Sequence, residues 1–249
     1  MAEPAPVSEI DPDKGAFVFA TGKKGSGKSV LCRDLFDAFP YDRLVIDPTG
    51  DVTRDLRAAG VKVRQLADPL PGRWPASLDE SEPYVTLTYV PNMSQAPAAA
   101  VDDMDRALGL ALAHRRTLVW IDEIGLMTRA QSTPPQLQSA LHQGRHRQLT
   151  LIMAGPRPIN IDPLCIAQAD LIAVFALPNP RDRRRVAEEM GWPPAEFDAA
   201  VHGLGRHEYL WYDATAWNAA TDQSGMLWHM PPIPLRRSGR ASDGPVTMA

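Results

Sequence analysis

The chain has 249 residues, of which 44% are hydrophobic and 22% charged, and a formal net charge of −4 at pH 7. Those proportions are those of a soluble globular protein whose length still suits one α/β domain with a large core, and the acidic balance confines any nucleic-acid surface to a local patch. No apolar stretch approaches the roughly 20 residues of a membrane span, and the N-terminus lacks a signal-peptide core. The two cysteines, Cys32 and Cys165, have no metal-ligand spacing, so they are read as packing residues of a cytoplasmic protein.

Residues 1–14 are acidic and Pro-rich and read as a mobile tail. The apolar run Gly15–Ala20 suits a buried strand, and Ser29–Phe36 has helical periodicity. Between them Gly22-Lys23-Lys24-Gly25-Ser26-Gly27-Lys28-Ser29 completes the pattern G-x-x-x-x-G-K-[ST]. In that strand–loop–helix setting the glycines let successive N–H groups turn toward one phosphate, and the helix N-terminus favours the anion. Lys28 is expected to reach the β- and γ-phosphates and Ser29 to take a Mg²⁺ coordination position. The nucleotide-contacting set is therefore Gly22, Lys23, Lys24, Gly25, Ser26, Gly27, Lys28, Ser29 and Val30. The competing reading is a Gly/Lys-rich surface turn; a chance match in a chain this long is on the order of one in a hundred.

Leu44–Ile46 reads as a strand closed by the turn Asp47–Asp51, Val61–Leu66 as a short alternating strand, 67–83 as a loop and Tyr84–Val90 as a strand. A helical pattern over Pro97–His114 leads to Thr117-Leu118-Val119-Trp120-Ile121-Asp122-Glu123, an apolar strand ending in two acids, the Walker B pattern. Asp122 is the expected partner of Mg²⁺ through water, and Glu123 is placed to orient or deprotonate the attacking water. An ordinary N-cap pair opening the next helix is the alternative. Helices are expected over Pro134–Arg147, Asn179–Met190 and Phe197–Leu204, and strands over Leu149–Ala154, Ala169–Leu177, His207–Tyr212 and Met226–His229. Residues 235–249, with Arg236, Arg237 and Arg240, read as a flexible basic end, leaving 15–234 as one domain. Strands alternating with helices imply a parallel sheet covered on both faces.

The order P-loop, Ile46-Asp47-Pro48-Thr49-Gly50-Asp51, Trp120-Ile121-Asp122-Glu123, Gly144-Arg145-His146-Arg147 and Ala154-Gly155-Pro156-Arg157-Pro158 resembles the HerA–FtsK superfamily of DNA-pumping ATPases. The resemblance covers about residues 15–215 and implies a RecA-like (ASCE) P-loop NTPase core. It also implies ATP and Mg²⁺ as cofactors, a homohexameric ring on double-stranded DNA, and Glu123, Lys28 and Arg145 as catalytic residues. The compact size is nearest the viral genome-packaging members, with capsid or portal-vertex proteins as further partners. Arg145 is then the first choice, and Arg147 the second, for a finger reaching a neighbouring subunit's γ-phosphate; a solvated helix end is the plain alternative. Family members usually carry a polar residue, often Gln, where this chain has Pro156; Arg157 or Asn160 stands near to substitute. The cluster Arg181, Arg183, Arg184 and Arg185 is either a DNA-phosphate patch or a solvated face paired to Glu188 and Glu189. Trp192, Trp211 and Trp217 read as core or subunit-contact residues. Two further readings stand beside genome packaging: a nucleotide-gated virion-assembly factor, and a conjugation or chromosome-partition pump.

Overall fold

All five residues of strand β1, Phe17–Thr21, are buried, as expected of a parallel strand covered by helices on both faces. The computed structural model describes residues 10–77, 83–129, 132–218 and 223–233. In chain order the remaining elements are α1 (Lys28–Ala38), β2 (Asp42–Ile46), α2 (Asp51–Ala58), β3 (Arg64–Gln65), β4 (Thr86–Tyr89), α3 (Pro97–Ala113), β5 (Thr117–Ile121) and α4 (Pro135–Gln143). They continue with β6 (Leu149–Gly155), α5 (Pro163–Ala167), β7 (Leu171–Val174), α6 (Pro180–Met190), α7 (Pro194–His202), β8 (Tyr209–Asn218) and β9 (Gln223–Met230).

Among the described residues these strands form one sheet in the order β3-β4-β2-β5-β6-β1-β7-β8-β9. Pairing is parallel from β3 through β7 and antiparallel for the β8–β9 edge hairpin. β6 lies between β1 and β5, so the phosphate-loop strand and the strand ending in Asp122 are separated by one strand. Alternate residues feed two cores. Phe17, Phe19, Leu44, Ile46, Val119 and Ile121 pack beneath α3 and α4 on one face. Val18, Ala20, Val45 and Trp120 pack with Leu31 and Phe36 of α1 on the other. This is the α/β, mainly parallel, two-faced architecture expected, and it is the P-loop NTPase fold.

The elements differ from the sequence reading where local pattern is short. α2 is a helix that the reading closed as a turn. It starts from Gly50 in the left-handed region, and Asp47 Oδ1 and Oδ2 accept from the N–H groups of Gly50 (3.0 Å) and Thr53 (2.7 Å). With only Val52, Thr53 and Leu56 buried, its apolar stripe spans little more than one turn. The expected strand Val61–Leu66 shrinks to β3, whose two residues are exposed. The expected helix Pro134–Arg147 stops at Gln143 and tightens into a 3-10 turn, Gly144–Arg147. α5 is five residues long, too short for periodicity to announce it. Residues 10–14, grouped with the tail by composition, lie on the protein: Tyr41 Oη donates to Asp13 (3.1 Å) and Gln148 Nε2 to the Asp13 carbonyl (3.0 Å). Residues 1–9 and the basic end 235–249 lie outside the described residues.

The arginine cluster on α6 divides. Arg183 is buried; it forms an ion pair with Asp198 of α7 and donates to the carbonyls of Leu177 (2.7 Å) and Pro178 (2.8 Å). Arg185 pairs with Glu189 at 3.2 Å. Only Arg181 and Arg184 are exposed, so a DNA patch of four arginines reduces to two on this helix. Trp211 is buried edge-on to Tyr209, and Trp192 packs edge-on to Tyr212; the Trp217 side chain lies outside the described residues. Arg183→Met is expected to cost about 2–4 kcal/mol in urea unfolding, because two carbonyls and a carboxylate lose their donor. Arg184→Ala is expected to stay within about 0.5 kcal/mol of the native chain, as surface changes do; a similar cost for both would show that α6 is not docked through Arg183.

Candidate nucleotide-binding and hydrolysis site

The loop Gly22–Gly27 joins β1 to α1 at the carboxyl edge of the sheet. Gly22 has φ 149°, and a Cβ there would lie 2.6 Å from the Phe175 Cβ, so any side chain would clash with β7's continuation. Gly27 has φ 114°, and a Cβ would sit 3.0 Å from the Phe175 ring. The loop curls around its own lysine: Lys28 Nζ donates to the carbonyls of Gly22 (2.7 Å) and Lys23 (3.2 Å). Burial lowers the Lys28 pKa, while Glu123 and Asp122 oppose that shift. Ser26 Oγ and Thr21 Oγ1 are buried and without a hydrogen-bond partner, the condition of polar atoms that a ligand completes.

β5 delivers Asp122 and Glu123 to the same edge. The Asp122 N–H donates to the Ile46 carbonyl (3.0 Å), fixing the strand tip against β2. Its carboxyl is pushed up to about 7, first by burial, then by Glu123 and Asp47, with Lys28 pulling the other way. Glu123 adopts the left-handed conformation (φ 55°, ψ 53°) and its side chain makes no capping bond to the 3-10 turn Ile124–Leu126 that follows. A non-glycine residue held there is strained, which is common where a side chain must be aimed. Glu123 thus holds the N-cap position of that turn without capping it through its side chain.

Among the described residues no group of three or more His, Cys, Asp or Glu could hold a metal unaided. Ser29 and Asp122 fit Mg²⁺ in the other way, in which one hydroxyl and one carboxylate share the ion with substrate phosphates. Burial first, and then the neighbouring carboxylates, raise the Asp122 pKa, and a cation there would offset the second of these.

Beside the loop lies a cavity of about 380 Å³ lined by Gly25, Gly27 and Val30 together with Phe175, His207 and Ile233. Phe175 is stacked on Tyr209 at 4.9 Å. Arg206 Nε donates to His207 Nε2 (3.2 Å), which leaves His207 Nδ1 to face the Ser26 carbonyl at 3.3 Å. This apolar, aromatic slot next to the phosphate loop suits a nucleobase. The sequence reading missed Phe175, His207 and Ile233, because no motif marks residues that reach the loop from β7, from the turn before β8 and from beyond β9.

Of the other expected residues, Pro156 and Arg157 border the first half of the loop, whereas the turn carrying Arg145 and Arg147 does not. Arg145 sits in the turn before β6, at the opposite edge of the sheet. Its guanidinium is engaged within its own chain by Asp170 (2.9 and 3.0 Å), by the Gln168 carbonyl (2.7 Å) and by the Phe17 ring at 4.2 Å. Asp170 also accepts from the Phe17 N–H (2.8 Å), so Arg145 ties together the entries to β1, β6 and β7. Arg147 and His146 are exposed. Pro156 stands at the tip of β6, Arg157 pairs with Asp182 (2.8 Å), and Asn160 is exposed.

No protein-family model matches the chain. Over 107 residues it is 28% identical to the DNA packaging ATPase P9 of Enterobacteria phage PRD1, a match spanning 40% of this chain and 44% of that protein. Among solved structures it is similar to the genome packaging NTPase B204 of Sulfolobus turreted icosahedral virus 2 in complex with AMPPCP. That likeness has a TM-score of 0.62 at 22% identity and covers 90% of this chain and 100% of that one. VirB4 of Thermoanaerobacter pseudethanolicus aligns with a TM-score of 0.63 at 11% identity, covering 94% of each chain. These likenesses establish the P-loop NTPase fold, and no helix among the described residues is long and apolar enough to cross a membrane.

A carboxyl raised from 3.8 to about 7 makes the fold lose stability as pH rises through that window, because the unfolded chain ionises first. Asp122→Asn is therefore expected to raise the melting temperature of the nucleotide-free protein at pH 8, by roughly 2–4 °C per kcal/mol relieved. The gain should shrink as pH falls through the window and vanish only below about pH 3, under the ordinary value of 3.8, where both states hold the proton. An unchanged or lower melting temperature at pH 8 would show that Asp122 carries no such penalty.

Proposed function

We propose that this protein is a Mg²⁺-dependent ATP hydrolase that moves double-stranded DNA, packaging a viral genome. The observation that supports the chemistry is that Lys28 and Ser29 at the start of α1 and Asp122 and Glu123 at the tip of β5 lie at one edge of the sheet. The packaging role is supported by the likeness to phage P9 and by the compact fold shared with B204.

In this reading the loop N–H groups and Lys28 hold the phosphates, and the partly desolvated ammonium favours the added negative charge of the transition state. Ser29 and Asp122 would hold Mg²⁺, which would supply charge neutralisation. Glu123, held off rotational freedom by its strained backbone, accepts the proton of the attacking water. Phe175, His207 and Ile233 receive the base.

A subunit ring would place a second cation against the γ-phosphate. Arg145 has its guanidinium committed inside its own chain, which gives this side chain a clamping task instead. Arg147, exposed on the same turn, is the freer finger. A guanidinium supplied by a neighbour matters most in the transition state, where it is worth about 10³-fold or more.

Lys28→Ala is expected to abolish most ATP binding in calorimetry, since a buried point charge on the phosphates is lost. Glu123→Gln should keep binding while stopping turnover; equal loss of binding in both variants would remove Glu123 as the base. Arg147→Ala should bind ATP normally yet turn over slowly, and mixing it with Lys28→Ala subunits should restore part of the activity at assembling concentrations. Arg145→Ala should chiefly lower the melting temperature. A co-assembled mixture that stays inactive rejects the Arg147 finger. Stimulation of turnover by double-stranded DNA distinguishes the pump from a nucleotide-gated assembly factor, which would show none.

A further inference from the structure

β6 ends at Gly155, and the next residue, Pro156, offers the site neither a side-chain donor nor an N–H. The chain beyond it opens onto a cleft of about 590 Å³ shared with the first half of the phosphate loop: Lys23, Lys24, Pro156, Arg157, Asn179 and Asp182 line it. The other cavity borders the second half, from Gly25 to Val30. The loop thus has an apolar aromatic end and a cationic end. The Lys23 backbone joins the cleft to the phosphate cradle, since its N–H donates to the Ala176 carbonyl (2.9 Å) and its carbonyl accepts from Lys28 Nζ. The cleft and the cradle thus share one residue of the loop, Lys23.

Arg157 is oriented within it. Asp182 is 1% exposed; one oxygen accepts from Arg157 Nε (2.8 Å) and the other from the Ile159 N–H (3.2 Å). That pair uses Nε alone, and the Arg157 side chain remains 51% exposed, so the planar fork keeps two terminal nitrogens for a second partner. Three cations share the cleft with one carboxylate that is already matched to Arg157. The net balance favours an anion.

We propose that Arg157, aimed by Asp182 and assisted by Lys24, contacts the terminal phosphate and distinguishes a nucleoside triphosphate from a diphosphate, supplying the donor that Pro156 cannot. The inference rests on the ATP reading above and names the group that senses the third phosphate. Asp182 is a positioning residue: it holds the fork from behind and never meets the nucleotide.

The test is calorimetric titration of the full chain with Mg-AMPPNP and with Mg-ADP. Arg157→Gln should weaken AMPPNP roughly 10- to 100-fold, the scale of a lost charge-assisted contact, and leave ADP within about 2-fold. Arg157→Lys should recover only part of the loss, because a point charge lacks the fork. Lys24→Ala should move AMPPNP in the same direction by less. Asp182→Asn, checked for folding by its melting curve, should also lose triphosphate preference although it stands behind Arg157. The proposal is overturned if Arg157→Gln keeps the native triphosphate preference, or if it weakens both nucleotides equally. Native chain that binds neither nucleotide overturns this proposal and the ATP reading together, whereas an unchanged preference in Arg157→Gln leaves the ATP reading standing.

Discussion

The rest of the molecule is arranged around a confrontation of partly buried charges at the carboxyl edge of the sheet. Lys28 is partly desolvated, and burial, with Glu123 and Asp47 adding to it, pushes the Asp122 carboxyl up to about 7. Charges taken out of water are costly unless each finds a partner. The loop partly answers this by folding its carbonyls onto Lys28, and the α1 N-terminus adds a positive field with no acidic residue in its first turn to offset it. This edge therefore presents donors that suit a polyanion and carboxylates that suit a cation. In the proposed reading a triphosphate with its divalent ion would satisfy both at once.

That arrangement needs a scaffold that does not yield, and arginines supply much of it. Arg145 braces the entries to β1, β6 and β7 through Asp170, at the edge opposite the nucleotide. Arg183 joins α6 to α7 and closes the carbonyls after β7. Arg43 lies between the rings of Phe36 and Tyr84 and donates to the Phe36 carbonyl. In each case one planar fork meets a carbonyl together with a carboxylate or an aromatic face, a task that the single point charge of lysine performs poorly. Arg157 differs: among the described residues its guanidinium meets the Asp182 carboxylate alone and stays exposed.

Sheet order explains the site's composition. Because β1 is flanked by β6 and β7, the loop after it is reached by the loops following both neighbours: Pro156 and Arg157 on one side, Phe175 on the other. The hairpin β8–β9 extends the edge and returns the chain to Ile233 beside Gly25 and Gly27. A loop defined by eight consecutive residues therefore acquires walls from positions some 130 to 210 residues away, and the two walls differ in chemistry because one carries an aromatic ring and the other a guanidinium.

Much of this was legible in the amino-acid sequence. The glycine spacing announced the loop because only glycine tolerates the conformation and the close approach of Phe175. Buried parallel strands announced themselves as apolar runs, and Asp122-Glu123 stood out as acids at the tip of one. What the chain could not declare was decided by contacts between distant segments. α2 exists because Asp47 caps it, although its stripe is too short to register. Val61–Leu66 lost all but two strand residues at the exposed edge. Arg145, Arg183 and Arg157 look alike as arginines in basic stretches; the first two became struts and the third a cleft-lining cation, according to which carboxylate and which carbonyls the fold brought to them. Local pattern records backbone tolerance and burial, which a residue carries with it, whereas a side chain's partner is a property of the packed whole.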